Sequence, residues 1–176
     1  TGNQTFAEGE TLLGTVSITS DGTPQYGESV SVNVSNITNN TGTLSYQWQR
    51  NGTDITGQTA SSYTLVQEDI GANITVVAAS SVELGTLTSA SISVGKADRA
   101  APSAPTLSGK DAHSVTLNET AGCEYKTGSD SFSSEFSFSG LKSNTTYSFY
   151  QRYAETATHN ASPASAALSV TTDYVI

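Results

Sequence analysis

A single cysteine, Cys123, is all the sulfur chemistry this chain has, since it contains no methionine. One cysteine excludes an intrachain disulfide, so any core must be held by packing alone. Lysine and arginine together supply only seven residues against sixteen acids, a net charge of −9. The imbalance runs along the whole chain: −6 over residues 1–96 (8 acids, 2 bases) and −3 over residues 97–176 (8 acids, 5 bases). Nucleic-acid binding requires a basic footprint to displace counterions from phosphates, and neither half has one. No Lys/Arg run offers itself to an anionic membrane surface. There is no apolar stretch long enough to span a bilayer, and no positively charged apolar leader. Without a methionine at position 1, the chain is expected to be a segment of a longer secreted polypeptide.

The residues of catalysis are also scarce. Nucleophilic chemistry needs a nucleophile, a base within hydrogen-bond reach and a group that orients the base. The two histidines, His113 and His159, have no acidic or nucleophilic companion marked in sequence. No catalytic residue, cofactor site or metal site is expected. There is no Asp-x-Asp-x-Asn-Gly loop and no His/Cys cluster for calcium or zinc. The nearest candidates for a surface calcium are Asp98 and the pair Glu68/Asp69, and Asp69 reads more simply as a turn residue bonding its own backbone. Cys123 adjoins Glu124 and reads as an inert small hydrophobe. A Lys–Asn amide crosslink would need a lysine mid-strand on an apolar face. Lys96 and Lys110 lie near strand ends and Lys126 and Lys142 near loops, so all four read as solvated.

What the chain has in abundance is Ser and Thr, 53 positions, with 15 Gly. Asn-x-Ser/Thr triplets, at Asn33, Asn73 and Asn144 among others, are expected by chance at that content. No segment shows sustained i, i+3, i+4, i+7 apolar spacing. Short alternating runs with Gly and Asn turns every 8–12 residues predict an all-β chain of two tandem sandwiches. In the first, Val16/Ile18, Val30/Val32/Val34, Leu44/Tyr46/Trp48, Tyr63/Leu65 and Ile74/Val76/Ala78 mark strands. Asn51-Gly52 marks a tight hairpin turn. The last strand is expected over Gly85–Val94, with Ala90, Ile92 and Val94 inward. Residues 97–104, rich in Pro and Ala, predict a semi-rigid linker. The second series is Val115/Leu117, Cys123/Tyr125, Phe136/Phe138, Tyr147/Phe149 and Ala166/Leu168/Val170. Gln151 falls on the inward face, so either a bulge re-aims it or its amide has a buried partner.

Three stretches, Tyr46-Gln47-Trp48, Tyr63-Thr64-Leu65 and Asp69-Ile70-Gly71-Ala72-Asn73-Ile74-Thr75-Val76, with Gly27-Glu28 before the second strand, resemble bacterial immunoglobulin-like surface repeats. The resemblance spans residues 12–96 and implies that Trp48 is the buried tryptophan of the third strand. It also implies that Val32 or Val34 with Val76 replace the paired cysteines of antibody domains. Asn73 stands where the corner tyrosine of that fold would be. Leu141-x-x-x-Thr145-x-Tyr147 resembles the corner of a fibronectin type III module, shortened here and assigned to residues 105–176. Leu117 replaces its usual second-strand tryptophan, and one strand is reduced to the Gly128–Ser134 loop. Residues 1–11 are expected to be a leader or inter-module segment.

These resemblances imply a non-catalytic extracellular stalk or presentation segment of a larger bacterial surface or secreted protein, at the cell surface or attached to the cell wall. The implied state is a monomer within a longer multidomain chain, with no nucleic acid bound and no membrane insertion in this segment. The alternative is an adhesin or carbohydrate-binding module acting through loops or exposed tyrosines, for which Tyr150 and Tyr153 are the candidate ligand-binding residues. Trp48 and Tyr147 are the expected structural anchors. The ligand of such a module, an unknown protein or glycan, is not marked in sequence.

Overall fold

A computed structural model describes residues 9–175, in which every regular element is a β-strand apart from one 3-10 turn, Gln67–Asp69. The described residues divide into two compact units, the first ending at Ala97 and the second beginning at Asp98. Each is a two-sheet β-sandwich with its own core.

In the first unit, β1 (Gly14–Thr19), β2 (Ser29–Ile37) and β5 (Ser62–Thr64) form one antiparallel sheet. The other contains β3 (Leu44–Arg50), β4 (Thr53–Asp54), β6 (Asn73–Ser80), β7 (Thr86–Thr88) and β8 (Ile92–Ser93). Alternation aims Val16, Val30 and Tyr63 of the first sheet at Trp48, Ile74, Val76 and Ala78 of the second. Trp48 is fully buried, its ring 5.5 Å from that of Tyr63, and its Nε1–H donates to the Ala60 carbonyl at 2.9 Å. That bond removes the polar penalty of sinking an indole. The β3–β4 hairpin turns at Asn51 and Gly52, both with positive φ (50° and 80°), the geometry whose twist matches the strands. Of the segment 1–11, residues 1–8 lie outside the described residues; Glu10 and Leu12 bond to Leu84 through their backbones.

In the second unit, β9 (Leu107–Lys110), β10 (Ser114–Leu117) and β12 (Ser137–Ser139) face β11 (Cys123–Thr127), β13 (Thr146–Tyr153) and β14 (Leu168–Thr171). Val115 and Leu117 meet Tyr125, Phe149 and Val170 between the sheets. Phe138 packs on Phe149 with ring centroids 5.0 Å apart. Residues 128–134 form no full strand; Ser133 makes an isolated bridge to Tyr125. Residues 98–104 are tied to this unit: the Ser103 carbonyl accepts from Gln151 Nε2 at 2.9 Å, and the Arg99 guanidinium bonds the Ala154 carbonyl and lies 5.1 Å from the Tyr153 ring centroid. Gln151 is therefore inward, and its amide nitrogen bonds the backbone of an exposed residue while its Oε1 has no partner.

Two alternation-based expectations fail for one shared reason. Ala90 and Ala166 are exposed, and Ser89 and Ser165 take the inward places beside them. The last strand of each sandwich departs from regular pairing there, as the break between β7 and β8 shows. Each serine then replaces a ladder residue. Ser89 N–H donates to Val76 O (2.9 Å) while its Oγ accepts from Val76 N–H (3.0 Å). Ser165 does the same for Gln151 (2.8 and 3.1 Å), and Ser162 for Tyr153 (3.0 and 2.9 Å). A buried strand N–H must find an acceptor, and a hydroxyl two bonds off the main chain reaches where a bulged carbonyl points away. Alanine offers no such acceptor.

Candidate functional site

The outer face of the sheet β11–β13–β14 carries a group of chemically distinct side chains in mutual contact. Antiparallel pairing sets Lys126 opposite Tyr150 and Glu124 opposite Arg152. Their neighbours Tyr125, Phe149 and Gln151 are buried, so the period of two puts these four outward. Phe132 joins them from the loop after β11. Two backbone bonds between Tyr125 and Ser133 (N–H to O at 2.6 and 2.9 Å) pin that loop to the strand. The Phe132 ring lies 4.3 Å from the Arg152 guanidinium and 5.1 Å from Lys126 Nζ, which is also 5.5 Å from the Tyr150 ring centroid. Arg152 Nε donates to Glu124 Oε1 at 2.5 Å. Lys126 is the next-to-last residue of β11, beside the loop as expected, and lies under two rings on the outer rather than the apolar face. Phe132 was missed in sequence because it belongs to no alternating run; its only mark was an aromatic inside a Ser-rich loop.

Tyr150 and Tyr153 do not form one surface. Three residues apart on a strand, they point to opposite faces. Tyr150 stands on the outer face, while Tyr153 pairs with Cys123 at the end of the core face. Tyr174 is exposed, near the end of the chain. The Tyr147 hydroxyl accepts from the Lys142 N–H at 2.9 Å, closing the corner into β13. Cys123 is free and half-buried beside the core, and burial raises its thiol pKa, opposed weakly by the Arg99 charge. A thiol held protonated is a poor nucleophile.

Asp69 does bond the backbone of its own turn, through the Val66 N–H, but it does not stand at the surface as a calcium ligand would. It is fully buried, and its carboxylate accepts from Arg50 Nε (2.7 Å), the Tyr63 hydroxyl (2.8 Å) and the Val66 N–H (2.8 Å). With three donors satisfied, no lone-pair direction is left facing solvent for a cation. Burial, and then the bond to Asp69, push the Tyr63 hydroxyl up to about 12; the same carboxylate raises Arg50. Asp98 accepts from Asn160 Nδ2 at 2.7 Å. Among the described residues no group of three or more His, Cys, Asp and Glu side chains is placed to hold a metal, and no helix is long and apolar enough to cross a membrane.

A second carboxylate ties loops together. Glu83 accepts from the Thr41 N–H (2.9 Å), the Thr41 hydroxyl (2.5 Å) and the Ser80 hydroxyl. These bonds, the Ser80 one largest, hold its pKa down to about 2. Gly42 lets the loops approach, since a Cβ there would sit 2.6 Å from Ser80 Oγ and 2.9 Å from the Val82 nitrogen.

No protein-family model matches the sequence, and no curated protein matches it. Among solved structures, the chain is similar to domains A168–A170 of titin at 13% identity and a TM-score of 0.32, covering 89% of this chain and 66% of that one. It is also similar to the FN1–FN3 domains of chicken CNTN1 at 17% identity and a TM-score of 0.29, covering 94% of this chain and 69% of that one. The chain thus spans just under two thirds of the titin fragment. The fold assignment rests on strand pairing and the two cores, not on these similarities.

Proposed function

We propose that this chain is a non-catalytic extracellular stalk or presentation segment of a larger bacterial surface or secreted protein, its first sandwich of the immunoglobulin-like kind over residues 12–96 and its second of the fibronectin type III kind over 105–176. The observation that carries this reading is the closure of each unit on itself. Each sandwich has a complete core, and its conspicuous polar and aromatic side chains are spent on one another: Asp69 on Arg50 and Tyr63, Glu83 on Thr41 and Ser80, Phe132 on Arg152 and Lys126. Groups committed in this way hold a shape and leave little reactivity to offer a substrate. A stalk acts through length, so its sequence is replaceable. The test is to exchange residues 12–176 in the full-length protein for an unrelated sandwich pair of equal length. Restored display of the flanking domains at the cell surface supports the stalk; display lost with the exchange overturns it.

The cluster around Tyr150 favours one second reading, an adhesin or glycan-binding module. Stacking on a ring is how apolar sugar faces are held, and Tyr150 has one cation near it where Phe132 has two. A glycan-array signal from the isolated chain that disappears in Tyr150→Ala would establish this reading against the stalk; a blank array removes it.

A further inference from the structure

Ten asparagines occur in the sequence, and nine of them begin an Asn-x-Ser/Thr triplet: Asn3, Asn33, Asn36, Asn39, Asn51, Asn73, Asn118, Asn144 and Asn160. Only Asn40, followed by Thr41-Gly42, does not. Ser and Thr fill 53 of 176 positions, so chance placement accounts for about three such triplets among ten asparagines, not nine. The expectation that Ser/Thr content produces these triplets by chance is therefore corrected: composition alone does not explain them. None has proline at the middle position, where it would block the acceptor sequence for N-linked glycosylation.

The structure sorts these sites. Asn3 lies outside the described residues. Five of the rest have side-chain amides already engaged. Asn39 donates to the Thr11 carbonyl and accepts from Leu13 N–H (both 2.8 Å); Asn118 donates to Thr106 Oγ1 (2.9 Å) and the Leu107 carbonyl (3.2 Å); Asn160 donates to Asp98 (2.7 Å). Asn33 and Asn51 accept from the Ser35 and Asn73 N–H groups, each at 2.9 Å. A sugar on Nδ2 replaces one of its hydrogens and adds bulk at a nitrogen that is itself bonded in Asn39, Asn118 and Asn160, whereas Asn33 and Asn51 are held through Oδ1 alone. Asn36, Asn73 and Asn144 differ. All three are exposed, and among the described residues their amides make no hydrogen bond. Each sits at the margin of an element: near the end of β2, at the first residue of β6, and in the turn before β13, where Asn144 has φ of 49°. In extended backbone, residues i and i+2 project to the same side, so Asn73 and the half-buried Thr75 stand on one side, the Thr75 hydroxyl donating to Gln49 Oε1 over a long 3.4 Å.

We infer that the protein is N-glycosylated at Asn36, Asn73 and Asn144. The donor class is a lipid-linked oligosaccharyl diphosphate. The amide Nδ2 forms a bond to the sugar C1 and gives up one proton. The C1–O bond to phosphate breaks, and the lipid diphosphate leaves with that electron pair. This inference stands independently of the stalk reading, since glycans on three loop-side positions suit any surface role.

The experiment is site-resolved mass spectrometry of the protein isolated from its own source, with fragmentation that keeps glycans on their residues. Glycan mass on Asn36, Asn73 and Asn144, with Asn39 and Asn118 bare, is the expected result. Thr38→Ala, Thr75→Ala and Thr146→Ala, each leaving its asparagine intact, should each abolish one glycan and spare the other two. An intact mass equal to the bare polypeptide overturns the inference. So does glycan confined to Ser/Thr, to fewer than two of the three asparagines, or to the engaged set in their place.

Discussion

Asp69 shows what a single side chain contributes when it is removed from water. A buried carboxylate is tolerated only with its lone pairs occupied, and here a guanidinium, a phenol and a backbone N–H occupy them. Asp69→Ala leaves Tyr63 and the Val66 N–H without an acceptor inside the fold. Arg50 is partly exposed, so its charge recovers some solvation and the ion-pair component is discounted. We expect the first unit to lose about 3 kcal/mol, measured by urea unfolding; a loss under about 0.5 kcal/mol would mean that the network is ornamental. Glu83 gives a pH signature instead. Its folded pKa lies near 2, below the ordinary 4.5, so the unfolded chain binds the proton more readily. The stabilisation is complete above about pH 4.5 and is lost as pH falls toward 2. Melting temperature should fall across that window in the native protein, and Glu83→Gln should flatten this fall. Parallel curves for the two proteins would remove Glu83 as the cause.

At the scale of the strand, the recurring device is a serine that supplies both halves of a ladder step. Ser89, Ser162 and Ser165 each donate a backbone N–H and accept on Oγ at one residue of the neighbouring strand. Removing the hydroxyl leaves a buried N–H unpaired, a penalty of about 1–3 kcal/mol. Ser165→Ala should therefore destabilise the second unit by that amount, while Ala166→Ser, at an exposed neighbour, should be near neutral. Equal effects of the two changes, read from chemical denaturation, would show that the hydroxyl bond carries no weight. These positions explain why alternation worked for most strands and failed at the last one of each sandwich. Val30, Trp48, Ile74, Val76, Leu117 and Phe149 were legible because a regular strand gives every second residue to the core. A bulge resets that count by one. It leaves no mark in a stretch such as Leu87-Thr88-Ser89-Ala90, where small residues fit either face.

Each unit closes its own core, so damage to one core should stay in that unit. Trp48 fills the first sandwich, and its replacement by alanine removes both the ring and the bond to Ala60. With no disulfide to hold the chain together, Trp48→Ala should cost about 3–5 kcal/mol. The transition of the first unit should move down while the second, followed by the environment of Tyr125 and Phe149, keeps its midpoint. A common shift of both transitions would show that the units unfold as one. The outer face of the second unit follows a different logic. Its cations lie over rings, and such pairs contribute about 0.5–1 kcal/mol each at an exposed site, enough to order the loop carrying Phe132 but not to define a fold.

The sequence by itself determined the class of this protein. Period-two alternation, Gly and Asn turns, and the lack of helical spacing admit only strands, and the absence of paired cysteines leaves packing as the only means of joining sheets. It also contained the asparagine triplets in full. The tertiary structure alone decided how the polar residues are spent. Nothing local announces that Asp69 meets Arg50 nineteen positions away, that Glu83 reaches Thr41, or that Phe132 covers Arg152. Nor does local sequence show which asparagines have free amides. Alternation is a property of one strand, and a sequence displays it directly. Partnership between side chains depends on which strands lie adjacent and in what register, and that is settled only when the sheets close over their cores.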